Sequence, residues 1–201
     1  MSVSADTFVG GFTDPVFHSQ TVFKAIMDGM ARPGTIQTVG TDIAPPAPLG
    51  IAAGAIALTL CDHETSLWLS PALAASALPD WLAFNTGAPM AEKIEARFVF
   101  LESGGMLSSL SQFAVGTQEY PDRSATVVLE VGELDGGEEL ALTGPGIKGT
   151  ATIAPVGLPG SFLRIWNDNR AVFPRGADII LTSGKRFICL PRTTKITATE
   201  L

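Results

Sequence analysis

Two segments of the sequence place arginines beside proline or turn residues at the ends of strand-like runs. They are YPDRSAT (residues 120–126) and FPRGADIILTSGKRFICLPRTTKI (173–196). A planar guanidinium matches the oxygens of phosphates and carboxylates, and loops at strand ends commonly carry function. The residues predicted to contact an anion or a partner are Arg175, Arg192, Thr193 and Thr194. The alternative, in which these arginines cap strands or form surface ion pairs, stays open.

The motif LPRTT gives the sharpest of these predictions. Pro191 ends the strand RFICL because proline lacks an N–H group and fixes its own backbone angle. Arg192 then lies just beyond a strand end, a usual place for ligands in α/β sheets, and two threonine hydroxyls follow it. We expect Arg192 to be the most sensitive of the exposed basic residues. The competing hypothesis is an internal ion pair with an acidic residue near the sheet edge.

The glycine-rich stretch LALTGPGIKGT, residues 140–150, has the composition of a phosphate-binding loop. Such a loop joins a strand to a helix and ends in lysine followed by serine or threonine. Here the alternating run LALT precedes the glycines and TATIAPV, also strand-like, follows them. A strand, a glycine turn and a second strand make a hairpin. We therefore interpret the stretch as a turn and not as a nucleotide site.

No other constellation is distinctive of catalysis or metal binding. The four consecutive polar residues in CDHET (61–65) point in different directions on a helix or a strand, and we interpret Asp62 as closing a helix. His18 is expected at the surface because its neighbour Phe17 is expected to face the core. Cys61 and Cys189 lie in apolar runs typical of buried thiols, with a disulfide the less favoured alternative. We assign no catalytic, cofactor-binding or metal-binding residue.

Composition and charge indicate which kinds of partner the protein could have. Of the 201 residues, 46% are hydrophobic and 16% charged, an apolar balance that predicts either much surface buried within the chain or some buried against partners. The net charge is −7, with −11 up to Leu163 and +4 from Arg164 onward. A general nucleic-acid binder is disfavoured because most of the chain would repel phosphate. The basic C-terminal part could face an anionic ligand or an acidic partner, or be an ordinary solvated surface.

The sequence predicts neither a membrane span nor a leader peptide. The longest apolar run, residues 49–61, is broken by polar residues and glycines and is shorter than the about 20 residues that cross a bilayer. The N-terminal stretch MSVSADTFVGGF lacks the basic and apolar regions of a signal peptide. We expect a cytoplasmic location.

Strands and helices alternate along the chain. Asp14 and Pro15 predict the start of a helix, whose apolar positions recur at helical spacing as Val16, Phe23, Ile26, Met27 and Met30. Further helices are predicted at 49–62, at 71–86 with a break at Pro79, at 106–113 and at 161–169. Strands are predicted at 35–39, 66–70, 97–102 and 125–131, in the two arms of the glycine-turn hairpin, and in ADIILT and RFICL around the turn SGK.

This order predicts a single α/β domain over residues 1–201, with a layered α/β/α arrangement. The late hairpin makes the sheet mixed and not all-parallel.

Five of these stretches, in this order and spacing, resemble one family. VFKAIMDGMARPG, LTLCDHETSLWLS, LTGPGI, FPRGADIILT and LPRTT look like the PhnH family, and the similarity runs from about Phe17 to Ile196. PhnH is a subunit of the bacterial carbon–phosphorus lyase system, so the resemblance implies a role in phosphonate breakdown. It also implies a fold similar to the large domain of pyridoxal-phosphate-dependent transferases, without the cofactor's lysine site.

The resemblance implies partners as well. PhnH proteins act in a core complex with PhnG, PhnI and PhnJ. With PhnG, PhnI and PhnL, PhnH is needed to transfer the ribose triphosphate of ATP to methylphosphonate, which displaces adenine. The isolated chain is expected to form a homodimer and to bind no cofactor. Three hypotheses follow: a subunit that contributes structure and ligand contacts, a stand-alone nucleotide- or phosphonate-binding enzyme, and a scaffold without ligand contact. The composition favours the first and the third.

Overall fold

The computed structural model describes residues 9–199, so the first eight residues of the N-terminal stretch considered above lie outside it. The described α-helices are α1 (Pro15–Ala31), α2 (Ile51–Leu60), α3 (Pro71–Ala74), α4 (Leu78–Thr86) and α5 (Phe162–Arg170). The described strands are β1 (Ile36–Thr38), β2 (Leu67–Leu69), β3 (Phe98–Leu101), β4 (Thr126–Glu130), β5 (Leu140–Thr143), β6 (Ala151–Ile153), β7 (Asp178–Ser183), β8 (Arg186–Leu190) and β9 (Lys195–Ala198).

The larger sheet has six strands in the order β1-β8-β7-β4-β3-β2. Strands β2, β3, β4 and β7 run parallel, and β8 returns antiparallel to β7 as the hairpin predicted from ADIILT, SGK and RFICL. Strand β1 pairs antiparallel with β8 and forms that edge of the sheet. The prediction of a mixed sheet is confirmed.

Two hydrophobic layers cover the two faces of this sheet. On one face α1, α2 and α4 pack, with Trp81 buried against the sheet residues Phe100, Val128 and Ile180. On the other face Trp166 of α5 packs with a set that includes Val127. Alternate residues of β4 therefore serve opposite layers, which is why the three central residues of the strand, 127–129, are all apolar and buried. A smaller antiparallel sheet, β6-β5-β9, shares the second face with α5. The prediction of helices on both faces is thus only half right, because a sheet takes part of one layer.

The glycine-rich stretch is a turn, as predicted. Strands β5 and β6 pair antiparallel on either side of it, and Gly144, Gly146 and Gly149 have positive φ angles. Gly146 packs so closely on the end of α1 that a Cβ there would collide with the carbonyl oxygen of Ala31. The turn therefore locks the small sheet onto α1, and it does not precede a helix.

Helix α1 begins as predicted but buries a different face. Asp14 caps it by accepting a hydrogen bond from the Phe17 N–H at 3.2 Å, and Pro15 is its first residue. The buried residues are Val22, Ile26 and Gly29. Val16, Phe23 and Met27, predicted to line the core with Ile26, are exposed, and so is Phe17. The spacing of apolar residues predicted the helix, but the stripe of residues that packs on the core is a neighbouring one.

Other sequence predictions need smaller corrections. The helix of residues 71–86 breaks at 75–77, and Pro79 lies in the first turn of α4 instead of at the break, because proline suits a first turn. The helix predicted at 106–113 is a single 3₁₀ turn, Leu110–Gln112. Asp62 does not end α2, whose C-cap is Cys61; it accepts hydrogen bonds from Glu64 and Thr65 in the following turn. Strand β9 was not predicted.

Candidate functional site

Arg192 lies at the amino ends of the parallel strands. Strand β8 runs antiparallel to β7, so the end of β8 lies beside Asp178 at the beginning of β7. The Arg192 guanidinium donates to both oxygens of the Asp178 carboxylate, from Nε at 3.1 Å and from Nη2 at 2.6 Å. Its Nη1 donates to the carbonyl of Pro121 at 2.7 Å. The guanidinium donors are thus already used by acceptors within the protein. This is the internal ion pair that the sequence analysis left as the competing hypothesis.

This ion pair is largely withdrawn from water. The side chains of Arg192 and Asp178 are 15% and 19% exposed, and the Asp178 carboxylate also accepts from the Arg192 backbone N–H at 2.7 Å. Arg192 is therefore not an exposed basic residue. A ligand at this place would have to compete with a bidentate carboxylate, so the geometry gives Arg192 a structural role.

The two threonines after Arg192 turn the chain from β8 into β9. Thr194 is fully buried; its N–H donates to Pro191 at 2.8 Å and its carbonyl accepts from the indole of Trp166 at 2.9 Å. The Thr194 hydroxyl has no hydrogen-bond partner within the described residues. Thr193 is partly buried. These threonines follow Arg192 directly in sequence, but the structure does not expose the three side chains together to solvent.

Arg175 lies apart from that group, in the loop between α5 and β7. It lines a cavity of about 190 Å³ together with Ser109 and Ser111, which flank the 3₁₀ turn, and with residues of α5. Within residues 9–199 its guanidinium forms neither an ion pair nor a side-chain hydrogen bond. Of the two arginines predicted from the sequence, Arg192 is paired with Asp178, whereas Arg175 lines a cavity.

A second polar group lies at the opposite edge of the sheet and was missed by the sequence analysis. The strand register places Glu130, the last residue of β4, opposite Thr182 of β7, and Glu102 directly follows β3, whose last residue Leu101 pairs with Leu129. Glu130 accepts a hydrogen bond from the N–H of Gly50, at the start of α2, at 2.9 Å. Ser70 donates to Glu102. A signal was present in the sequence, because Glu102 and Glu130 each directly follow a run of apolar strand residues.

Glu130 is the electrostatically unusual member of this row. Burial raises the pKa of its carboxyl, against the lowering effect of the Gly50 N–H. A Cβ on Gly50 would overlap the Glu130 carboxylate, so a larger residue there would require the Glu130 side chain to move. The Glu130 carboxyl also closes the N-terminus of α2, where a negative charge is stabilised.

The remaining candidates from the sequence are accounted for by packing. Cys61 and Cys189 are buried free thiols, and burial raises the pKa of each to about 12. His18 is half-buried, accepts a hydrogen bond from the Asp14 N–H and contacts the ring of Phe12. Among residues 9–199, no group of three or more His, Cys, Asp or Glu side chains could hold a metal ion. No helix in that range is both long and apolar enough to cross a membrane.

Comparison with known proteins gives consistent matches over nearly the whole chain. The family model for the bacterial phosphonate metabolism protein PhnH matches residues 10–197. The alpha-D-ribose 1-methylphosphonate 5-triphosphate synthase subunit PhnH of Rhizobium meliloti (strain 1021) is 55% identical over 197 residues, which covers 98% of each chain. The putative C-P lyase subunit protein HtxG of Stutzerimonas stutzeri is 32% identical over 177 residues, 88% of this chain and 85% of the relative.

Proposed function

Since the chain belongs to the PhnH family, we propose that it is a subunit of the carbon–phosphorus lyase system. In this role it is required for the transfer of the ribose triphosphate of ATP to methylphosphonate, with displacement of adenine. The observation that carries the proposal is the 55% identity, over 98% of both chains, to a relative named as a subunit of that synthase. The match therefore extends over nearly all of both chains.

Within the complex the chain contributes structure and a ligand contact, while another subunit performs the chemistry. Two features support this division. The fork of Arg192 is occupied by Asp178, and burial raises the pKa of both thiols far above neutral pH, so neither thiol is a ready nucleophile. The partners are PhnG, PhnI and PhnL in the transfer reaction, and PhnJ in the core complex.

The exposed face of α1 is the surface we propose for association. Val16, Phe17, Phe23 and Met27 are each at least half exposed, and apolar patches of this kind mark interaction sites. This face serves contact with a second copy of the chain or, in the complex, with another subunit. Phe23→Gln with Met27→Gln should weaken association in sedimentation velocity and leave the unfolding midpoint nearly unchanged. Met106→Gln, an exposed residue outside α1, is the control. Unchanged association of the double variant would refute the assignment.

The rest of the proposal concerns domain organisation, location, fold and cofactor. The 201 residues form one PhnH-like domain that is cytoplasmic and binds neither nucleic acid nor a membrane. Its layered fold, with a mixed six-stranded sheet, is akin to the large domain of pyridoxal-phosphate-dependent transferases, and it carries no cofactor. Adding pyridoxal phosphate should give no lysine-dependent visible absorption band.

Reconstitution tests the proposed function directly. PhnG, PhnI and PhnL are incubated with ATP and methylphosphonate, with and without this chain, and adenine is measured by chromatography. Adenine release should require the chain, and the chain alone should release none. Equal release without the chain, or steady turnover by the pure chain, would contradict the proposal. A scaffold without ligand contact is the second candidate, and Arg175 variants that restore full release would favour it.

A further inference from the structure

The cavity beside Arg175 has the makings of an anion site. It is enclosed by α5, by the loop that leads to β7, and by the serines around the 3₁₀ turn. We infer that this cavity binds a phosphoryl or phosphonyl oxyanion, with the Arg175 guanidinium and the hydroxyls of Ser109 and Ser111 as its donors. The inference deepens the proposed function, on which the identity of the anion rests.

The backbone on both sides of Arg175 is held in place. The Arg175 N–H donates to Val172 at 3.1 Å, and the next residue, Gly176, donates to Val115 at 2.8 Å. The buried side chain of Asn169 then clamps Ala177 with two hydrogen bonds, one to its carbonyl at 2.9 Å and one from its N–H at 2.8 Å. The loop is therefore fixed before any ligand binds, which reduces the entropy cost of binding.

The guanidinium is available, in contrast to most of the other arginines. Four arginines form ion pairs in the described part of the chain: Arg32, Arg164, Arg186 and Arg192. Arg123 stacks on the ring of Tyr120. Arg175 has no such partner and lines a concave surface. Its five N–H donors form a planar fork that fits two oxygens of a phosphate or phosphonate.

The serines supply the complementary donor. The Ser109 and Ser111 hydroxyls lie 2.8 Å apart, and the Ser109 hydroxyl also accepts from the Ser111 N–H at 3.1 Å. One of the two hydroxyl protons is used in the bond between them. The other remains free to donate to an anionic oxygen. Guanidinium and hydroxyl donors around one cavity are a usual arrangement for oxyanion recognition.

One negative group also borders the cavity. Asp168 is among the lining residues, but its side chain is 65% exposed and pairs with Arg164 at 3.4 Å. Solvent and Arg164 therefore screen its charge. Removing the Asp168 charge should strengthen anion binding.

The volume restricts the ligand. At about 190 Å³ the cavity is smaller than the roughly 300–1,000 Å³ of pockets that enclose drug-sized molecules. A whole nucleotide does not fit. One phosphoryl or phosphonyl group fits, either as a free anion or as the end of a longer molecule whose remainder lies outside.

Titration of the purified chain tests the inference. Inorganic phosphate, methylphosphonate, ATP and adenosine are titrated separately by isothermal calorimetry at low ionic strength. Phosphate and methylphosphonate should bind at one saturable site with similar affinity, ATP should bind there too, and adenosine should not bind. Arg175→Ala should weaken binding about ten-fold or more, since a charge-assisted hydrogen bond is lost. Ser109→Ala with Ser111→Ala should give a smaller loss, and Asp168→Asn a gain.

Arg32→Ala is the matched control, because Arg32 follows α1 on the other face of the sheet and does not line the cavity. It should bind as the wild type does. Arg175→Lys, which keeps the charge, covers the case in which Arg175→Ala fails to fold, and it should bind more weakly than the wild type. Absence of saturable phosphate binding, or undiminished binding by both Arg175 variants, overturns the inference.

The outcome is distinguishable from failure of the proposed function. If the chain binds phosphate through Arg175 but adenine release does not require the chain, the anion site stands and the proposed function fails. If release requires the chain while Arg175 variants bind phosphate and support release like the wild type, the proposed function stands and the anion site fails.

Discussion

The ion pair between Arg192 and Asp178 allows a quantitative test of whether LPRTT has a structural role or a contact role. Three side-chain hydrogen bonds leave the guanidinium, two to the carboxylate and one to the Pro121 carbonyl. Breaking a buried ion pair by removing one partner costs about 3–5 kcal/mol of unfolding free energy. Because these side chains are 15% and 19% exposed, we expect the lower end, about 3 kcal/mol, for Arg192→Ala or Asp178→Ala.

Arg192→Lys separates charge from geometry. A lysine ammonium is a point charge and cannot span both carboxylate oxygens and the Pro121 carbonyl. We expect it to recover part of the loss, so its cost should be about 1–2 kcal/mol. For a domain of this size, a loss of about 3 kcal/mol lowers the unfolding midpoint by about 6–12 °C. A contact role predicts the reverse pattern, with near-normal stability and weakened activity of the complex.

The assay is urea unfolding followed by tryptophan fluorescence, for the two single variants and the double variant. The coupling free energy from this cycle should be about 1–3 kcal/mol. Arg164→Ala is the control, because its ion pair with Asp168 is exposed and should contribute less than about 0.5 kcal/mol. If Arg192→Ala and Asp178→Ala cost no more than this control, or if their effects simply add, the structural argument is refuted.

Three further predictions concern other parts of the molecule. Burial raises the pKa of Glu130 above its ordinary 4.5. Its contribution to the free energy of unfolding is therefore full below that pH and is lost as the pH rises. In urea titrations, the stability of the wild type relative to Glu130→Gln should fall between pH 4 and 8. At pH 8 a thiol reagent should label Cys61 and Cys189 far more slowly in native than in denatured protein, because burial raises the pKa of both to about 12, and rapid native labelling would contradict this. Gly146→Ala should lower the unfolding midpoint more than Gly149→Ala, since both have positive φ but only Gly146 meets backbone; equal midpoints would argue against this packing.

The sequence predicted those elements whose signals are local. Asp14 and Pro15 gave the start of α1, and the glycines of residues 144–149 gave the turn of the hairpin. The helical spacing of apolar residues could not show which side of α1 meets the core, because apolar residues occupy both stripes of that helix. Phe23 and Met27 therefore looked like core residues although they are exposed.

The candidate site depended on strand direction, which no local signal reports. Arg192 was expected at the ligand-binding edge because it follows a strand, but β8 runs antiparallel to its neighbour and ends at the opposite edge. Glu130 was overlooked for the converse reason. Its place beside Glu102 and Thr182 follows only from the register of three parallel strands. Arg175 was selected for its loop position, and the cavity that it lines also involves Ser109 and Ser111, which are distant in sequence.

The pairing of early strands with late ones has a consequence during synthesis on the ribosome. Strand β1, at Ile36–Thr38, pairs with β8, and the last strand, β9, completes the sheet begun by β5. The inner strand β4 gains its second neighbour only when β7 (Asp178–Ser183) has been made. Until β7 and β8 have been made, β1 and one side of β4 therefore lack their partners, and such unpaired edges are prone to aggregation. We therefore expect both sheets to be completed only after β8 and β9, the last two strands described, have been made.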